Sequence, residues 1–430
     1  MTVVPWMQTR LPGGLLLNQQ QRQAPGLLAA RLWIAGGSSL DPLQQRGAHQ
    51  LLAGLMTRGC AGLDAEALAD LVEGRGAALR AEANEDSLVI SLKCASDDAA
   101  ELVPLLVQMV AAPQLDENQI AIEQQLNLQS LQRLREDPFQ LCHEALRQQL
   151  YGDGAYGHDP LGIAPELEAL EKPQLAALQH QQGRHGAALV LAGSLPAGCE
   201  ARLAEALAQT PWMAAEPGQA LPLRQASSSE RLSLVEQDTE QVVLMLGCPT
   251  VPLGHPDNLP LRVLQAHLGL GMSSRLFVAM REERGLAYDV GVHMPARRGA
   301  TPFVWHLSTS ADRAAEACSA LLDEWQRLRY DRLDAEALAL AQAKYLGQEA
   351  FGRQTCGQVA DRKALLLGFG LAPDFVEQCL EQARSFDART LQAVAQRQLA
   401  APKLSLCGPA AGLRAAEAAW SRHGLSQTTL

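Results

Sequence analysis

Arg281 and Tyr288, either side of Gly285 in the second half of the sequence, are of types suited to work on a carbonyl group. A guanidinium and a phenol both donate hydrogen bonds, and such donors suit a developing oxyanion. Read alone, the arginine is a solvated charge favouring the end of a helix dipole and the tyrosine a core residue. The histidines His143, His158, His267, His293 and His306 show no H-x-x-x-H pair enclosing a carboxylate, so core or surface roles are expected of them. Gly269-x-Gly271 lacks the third glycine and preceding strand of a dinucleotide fingerprint, and no Lys-Ser/Thr follows it.

The elements that must position these residues repeat. In the first half the pattern predicts a strand at Leu27 to Gly36, helices at Asp41 to Arg58 and Asp64 to Glu73, and strands at Ala77 to Ala83 and Ser87 to Lys93 around the turn Asn84-Glu85-Asp86. Helical patterns follow at Asp97 to Ala111 and Asp116 to Tyr151, and a buried strand at Ala187 to Ala192 ends in Gly193. The second half repeats the order. It has a strand at Gln241 to Cys248, helices at Asp257 to Leu268 and Ser273 to Arg284, and strands at Leu286 to His293 and Pro302 to Thr309. Helices fill most of Ala311 to Leu399, and a strand at Lys403 to Cys407 ends in Gly408. A repeated order of strand, helices, two strands, helices and strand implies duplicated α+β domains, each a mainly antiparallel sheet packed with helices. The Pro-, Gly- and Ser-rich stretch 216–229 is the expected linker, between domains at 1–215 and 230–430. In the second half, Ser273 or Ser274 suits a helix N-cap and Gly285 its stop, which puts Arg281 in the last turn and Tyr288 just inside the next strand.

With 430 residues, 47% hydrophobic and 19% charged, the chain has material for two domains of folded, globular type. A net charge of -11 without a Lys/Arg cluster interleaved with aromatics argues against a nucleic-acid surface. Nine scattered cysteines without a Cys-x-x-Cys pair, Met1 to Gln23 without a signal peptide's apolar core, and no run long enough to span a membrane together imply a cytoplasmic protein with no membrane partner.

Two stretches carry a family resemblance. Leu268-Gly269-Leu270-Gly271-Met272-Ser273-Ser274-Arg275-Leu276-Phe277, followed by Arg281-Glu282-Glu283-Arg284-Gly285-Leu286-Ala287-Tyr288, resembles the C-domain signature of the pitrilysin and mitochondrial-processing-peptidase family. Gly47-Ala48-His49-Gln50-Leu51-Leu52-Ala53 falls where that family carries its inverted zinc motif, H-x-x-E-H. There the two histidines share a helix face, and the glutamate before the second is the base for a metal-bound water.

The resemblance implies what is kept and what is lost. His49 matches the first ligand, Leu52 stands in place of the base, Ala53 replaces the second ligand, and Ser130 falls where a later glutamate is the third. Glu123 matches an acidic position nearby, expected here to be a hydrogen-bonding helix residue. A catalytic zinc needs three protein ligands, so no metal is expected on this chain. Arg281 and Tyr288 match the family's substrate-gripping pair, and Ala81, Glu82, Ala83 and Asn84 match the edge strand to which a peptide adds. The resemblance thus implies the non-zinc subunit of a heterodimeric zinc peptidase, with zinc in a homologous partner and a flexible peptide as substrate. The alternative is a structural or peptide-binding scaffold, including a homodimer in isolation.

Overall fold

The computed structural model describes residues 5–23, 25–210, 212–214 and 230–427, so the expected linker at 216–229 lies outside the described residues. The first half of the chain contributes strands β1 (Met7–Arg10), β2 (Leu16–Gln21), β3 (Leu27–Ala35), β4 (Ala78–Ala83), β5 (Ser87–Ala95) and β6 (Ala188–Gly193). Its helices are α1 (Ala48–Met56), α2 (Ala65–Glu73), α3 (Ala99–Ala111), α4 (Glu117–Glu136), α5 (Pro138–Tyr151), α6 (Ala164–Glu168), α7 (Lys172–Gln181) and α8 (Cys199–Gln209). The second half supplies β7 (Leu232–Glu236), β8 (Gln241–Pro249), β9 (Val290–His293), β10 (Pro302–Ser310) and β11 (Lys403–Gly408). Its helices are α9 (Asn258–Gly269), α10 (Ala314–Tyr330), α11 (Ala335–Phe351), α12 (Cys356–Gly368), α13 (Phe375–Ser385), α14 (Ala388–Gln398) and α15 (Ala410–Arg422).

The duplication is written in the sheets. One runs β1-β2-β6-β3-β5-β4 and the other β7-β11-β8-β10-β9. In each, the first common strand pairs parallel with the last (β2 with β6, β7 with β11) and the remaining pairs are antiparallel. The hairpin strands β4 and β9 therefore hold equivalent edge places.

The chain forms two compact units, each built from separated stretches. One comprises Met1–Gln132, His158–Pro222 and Phe351–Pro373, the other Arg133–Gly157, Leu223–Ala350 and Asp374–Leu430. Thus α12 belongs to the first unit and α5 to the second. These exchanged helices explain why β3 and β8 read as continuous apolar runs, since a strand covered on both faces has no polar side. Val359, Ala360 and Ala364 of α12 pack with Ala29, Trp33 and Val190, and Arg31, the polar exception on β3, pairs with Asp361. In the second unit Cys142, Leu146 and Leu150 of α5 cover Val243, Met245 and Cys407. The opposite faces carry the two large cores.

Several boundaries differ from the sequence pattern. The helix expected from Asp41 starts at Ala48, because Pro42 and the positive φ of Gln44 (69°) and Gly47 (104°) hold the preceding residues in turns. The long pattern Asp116 to Tyr151 breaks where Pro138 follows Asp137, whose carboxylate accepts from Phe139 N–H and caps α5. Strands β1, β2 and β7 are absent from the sequence reading. β2 and β7 enter their sheets beside β6 and β11, a long-range pairing that local periodicity does not encode. No helix among the described residues is long and apolar enough to cross a membrane.

Candidate functional site

His49 lies in the first turn of α1 and is 1% exposed. Asp41, also buried, organises the entry to that helix: its carboxylate accepts from Gly47 N–H (2.7 Å), His49 N–H (3.0 Å) and His49 Nδ1 (2.7 Å). Anions are favoured at helix N-termini, where backbone donors are unpaired. Burial pushes the Asp41 carboxyl up, but the nearby imidazoles of His158 and His49 and the Gly47 amide more than offset it, and the net direction is down. An ionised Asp41 makes Nδ1 the protonated nitrogen of His49. Nε2 is then the acceptor, and Gln182 Nε2 stands 3.3 Å away to donate to it. Trp212 Nε1 donates to the Gln182 carbonyl at 2.6 Å, fixing that residue in turn. His158 Nε2 lies 3.5 Å from Asp41 Oδ2, within reach of its charge but outside hydrogen-bonding geometry.

The other positions aligned with the zinc motif have structural partners. Leu52 and Ala53 are fully buried in the core with Leu51, Leu55 and Met56. Ser130 donates its hydroxyl to Leu126 O within α4 at 2.9 Å. Glu123 accepts from Arg58 Nε at 2.6 Å and rests against Gly54, where a Cβ would lie 2.5 Å from its Oε2. The bare glycine lets the acidic helix approach α1. A zinc ion requires donors aimed at one point, and among the described residues no group of three His, Cys, Asp or Glu side chains is placed to hold a metal ion. Carbon at positions 52 and 53, and a His49 Nε2 turned to Gln182, do not fit the metal.

The second-unit residues are arranged differently. The segment after α9 contains a π-helical turn, Phe277–Glu282, a wider winding found often at functional sites. It carries Arg281, whose guanidinium lies 4.4 Å from the Tyr288 ring centroid and 4.9 Å from that of Phe277, while Nη1 donates to Tyr288 O at 3.0 Å. Tyr288 precedes β9 in a bend rather than lying inside the strand, because pairing with β10 begins only at Val290. Tyr288 is 81% exposed. Stacking on a cation at such a site is worth about 0.5–1 kcal/mol, enough to bias a rotamer but far less than burying the ring would contribute.

Of the edge-strand residues, Ala81 is half-buried and Glu82 exposed on β4, while Ala83 and Asn84 approach the hairpin turn. Ala83 N–H donates to Gln50 Oε1 at 2.9 Å; Asn84 N–H donates to Ser87 O and its carbonyl accepts from Ser38 N–H. Among the other histidines, His143 and His293 meet edge to face at 5.7 Å. Burial first, then Arg147 and neighbouring groups, push His143 down to about 3, so it stays neutral near pH 7.

Sequence reasoning missed Asp41, Gln182 and Gln50. Asp41 is eight residues before His49 across an irregular turn, a spacing with no helical register.

Comparison with known proteins supplies the family. A model described as "Insulinase (Peptidase family M16)" matches residues 20–162, and one described as "Peptidase M16 inactive domain" matches residues 187–345.

The chain belongs to the peptidase M16, or pitrilysin, family.

An uncharacterized zinc protease of Streptomyces coelicolor is 23% identical over 414 residues, covering 94% of this chain and 89% of the relative. One from Bacillus subtilis is 21% identical over 347 residues, 79% of this chain and 83% of its own. Among solved structures, a peptidase M16 inactive domain from Pseudomonas fluorescens aligns with TM-score 0.85 at 22% identity, covering 94% of this chain and 98% of that one. A chain of complex III2 from Candida albicans aligns with TM-score 0.77 at 14% identity, covering 94% and 95%. Structural likeness at such identities establishes the fold alone. In this chain the M16 fold carries a first unit in which Leu52 and Ala53 are core and a second unit in which Arg281 stacks beside an exposed Tyr288.

Proposed function

We propose that this M16 chain is the non-zinc, substrate-binding subunit of a two-chain zinc metallopeptidase. A homologous partner with an intact H-x-x-E-H motif brings metal and base, and this chain brings Arg281 and Tyr288 to the peptide being cut. The observation that carries the reading is the Arg281–Tyr288 stack: a tyrosine 81% exposed, held on a guanidinium by a π-helical turn, in a segment that matches the family's gripping pair. The free donors of Arg281 and the Tyr288 hydroxyl suit a substrate carbonyl or the oxyanion formed from it. An extended peptide would lie along the edge strand β4, and the chain would work in the cytoplasm.

A second reading rests on the closed network Asp41–His49–Gln182, which has exchanged metal ligation for helix anchoring: a peptide-binding or structural scaffold, as a homodimer, without hydrolysis. Co-expression with a partner of intact motif separates the two. Under the first reading the pair cleaves an unstructured peptide and neither chain alone does, with loss of activity on chelation. Chelator-sensitive cleavage by this chain alone, with about one zinc bound per chain, overturns it. Peptide binding by this chain without cleavage by any pair supports the second.

A further inference from the structure

The edge strand proposed above as the peptide's platform is already occupied at one end. Among the described residues β4 pairs with β5 on one side only and is the last strand of its sheet. Along an antiparallel edge, residues alternate between those whose N–H and C=O bond the neighbouring strand and those that point them outward. The Ala83 amide is one of the outward groups, since it donates to the Gln50 side chain at 2.9 Å rather than to β5. By the same alternation Leu79 and Ala81 also face outward. One residue further on, Asn84 donates to Ser87 O and accepts from Ser38 N–H, so neither Asn84 nor the Ala83 amide is left to donate to an added strand at the hairpin end.

Gln50 reaches this place because α1 packs against β4. His49 is locked by Asp41, and the next residue emerges half-buried at the end of the strand. A primary carboxamide oxygen is chemically the same acceptor as a backbone carbonyl.

Resting on the peptide-binding reading above, we propose that Gln50 is a built-in edge cap that sets the register of the docked peptide. Its Oε1 stands where the carbonyl of an added strand would accept from Ala83. An extended polypeptide therefore bonds at Leu79 and Ala81 and leaves the sheet before Ala83. The same cap shields the edge from strand addition by unrelated chains, a hazard that exposed edges carry.

The test uses the full chain and a fluorescein-labelled unstructured peptide of alternating small apolar and polar residues. In Gln50→Ala the Ala83 amide loses its partner, so its hydrogen exchange, followed by NMR in the peptide-free protein, accelerates. The peptide then takes that donor, and fluorescence anisotropy reads a Kd about two- to tenfold tighter, the range of one net hydrogen bond. Gln50→Glu keeps an acceptor and behaves as the native chain in both measurements. A second peptide, N-methylated at alternate residues, reports on strand addition itself by losing binding. If N-methylation abolishes binding but Gln50→Ala changes neither Ala83 exchange nor Kd, the cap is overturned and the edge platform stands. Weaker binding by a folded Gln50→Ala chain also overturns the cap, because Gln50 would then hold the peptide rather than exclude it. If N-methylation has no effect, or neither chain binds, the edge platform fails and takes the cap with it.

Discussion

Helix α1 in the first unit and the turn Phe277–Glu282 in the second mark the two stretches where the family resemblance concentrates, and they have opposite relations to solvent. Around α1 the chain has turned inward: Leu52 and Ala53 are core, and His49 is held between Asp41 and Gln182. Around the π-helical turn it faces out, with Tyr288 in water and Arg281 stacked beneath it. Once a metal site loses its ligands, packing and hydrogen bonding can claim the vacated positions, since buried carbon stabilises and unpaired buried polar groups cost. An exposed aromatic–cation pair gains little from folding.

The comparison is broken most directly by building a zinc motif onto α1 and α4. Leu52→Glu puts a carboxylate in a fully buried site and should lower stability by about 3–5 kcal/mol, read from the urea midpoint. A chain carrying Leu52→Glu, Ala53→His and Ser130→Glu that unfolds at the native midpoint and takes up zinc would show that the first unit has not closed. Next in size, Arg281→Ala should cut the turnover of the paired enzyme about 10²–10³-fold, the usual cost of one oxyanion donor, while lowering stability by only about 1 kcal/mol, the worth of the exposed stack. Unchanged turnover would remove the pair's catalytic role and leave the partnership standing.

Smaller effects sharpen the contrast. Asp41→Ala strands the Gly47 and His49 donors in the interior and should cost about 1–3 kcal/mol in thermal or urea unfolding. Acid titration isolates the same carboxylate. Its pKa is lower in the folded chain than unfolded, so the stability it adds is complete above the unfolded value near pH 3.8 and is lost as pH falls through the folded one. The urea midpoint of the native chain should therefore drop more steeply below about pH 4 than that of Asp41→Asn. Parallel curves would mean that Asp41 gains nothing from its partners.

Much of the frame was legible in the sequence because it rests on local pattern. The apolar runs of β3, β8, β6 and β11, the hairpin around Asn84-Glu85-Asp86 and the repeated order of elements follow from periodicity and turn chemistry. The expectation that Leu52 and Ala53 offer zinc no donor came from the family resemblance, and it needs no coordinates because a hydrocarbon side chain has no lone pair to give. Local pattern misplaced the start of α1 and the break at Pro138, where turn geometry overrode helical periodicity. What only the tertiary structure decided were the meetings of distant residues. It exchanged α5 and α12 between units, brought Gln182 to His49 Nε2, set Gln50 on the Ala83 amide and laid Arg281 under the Tyr288 ring. The reason is physical: a residue type fixes what a side chain can donate or accept, but the packing of the whole chain chooses the partner that receives it.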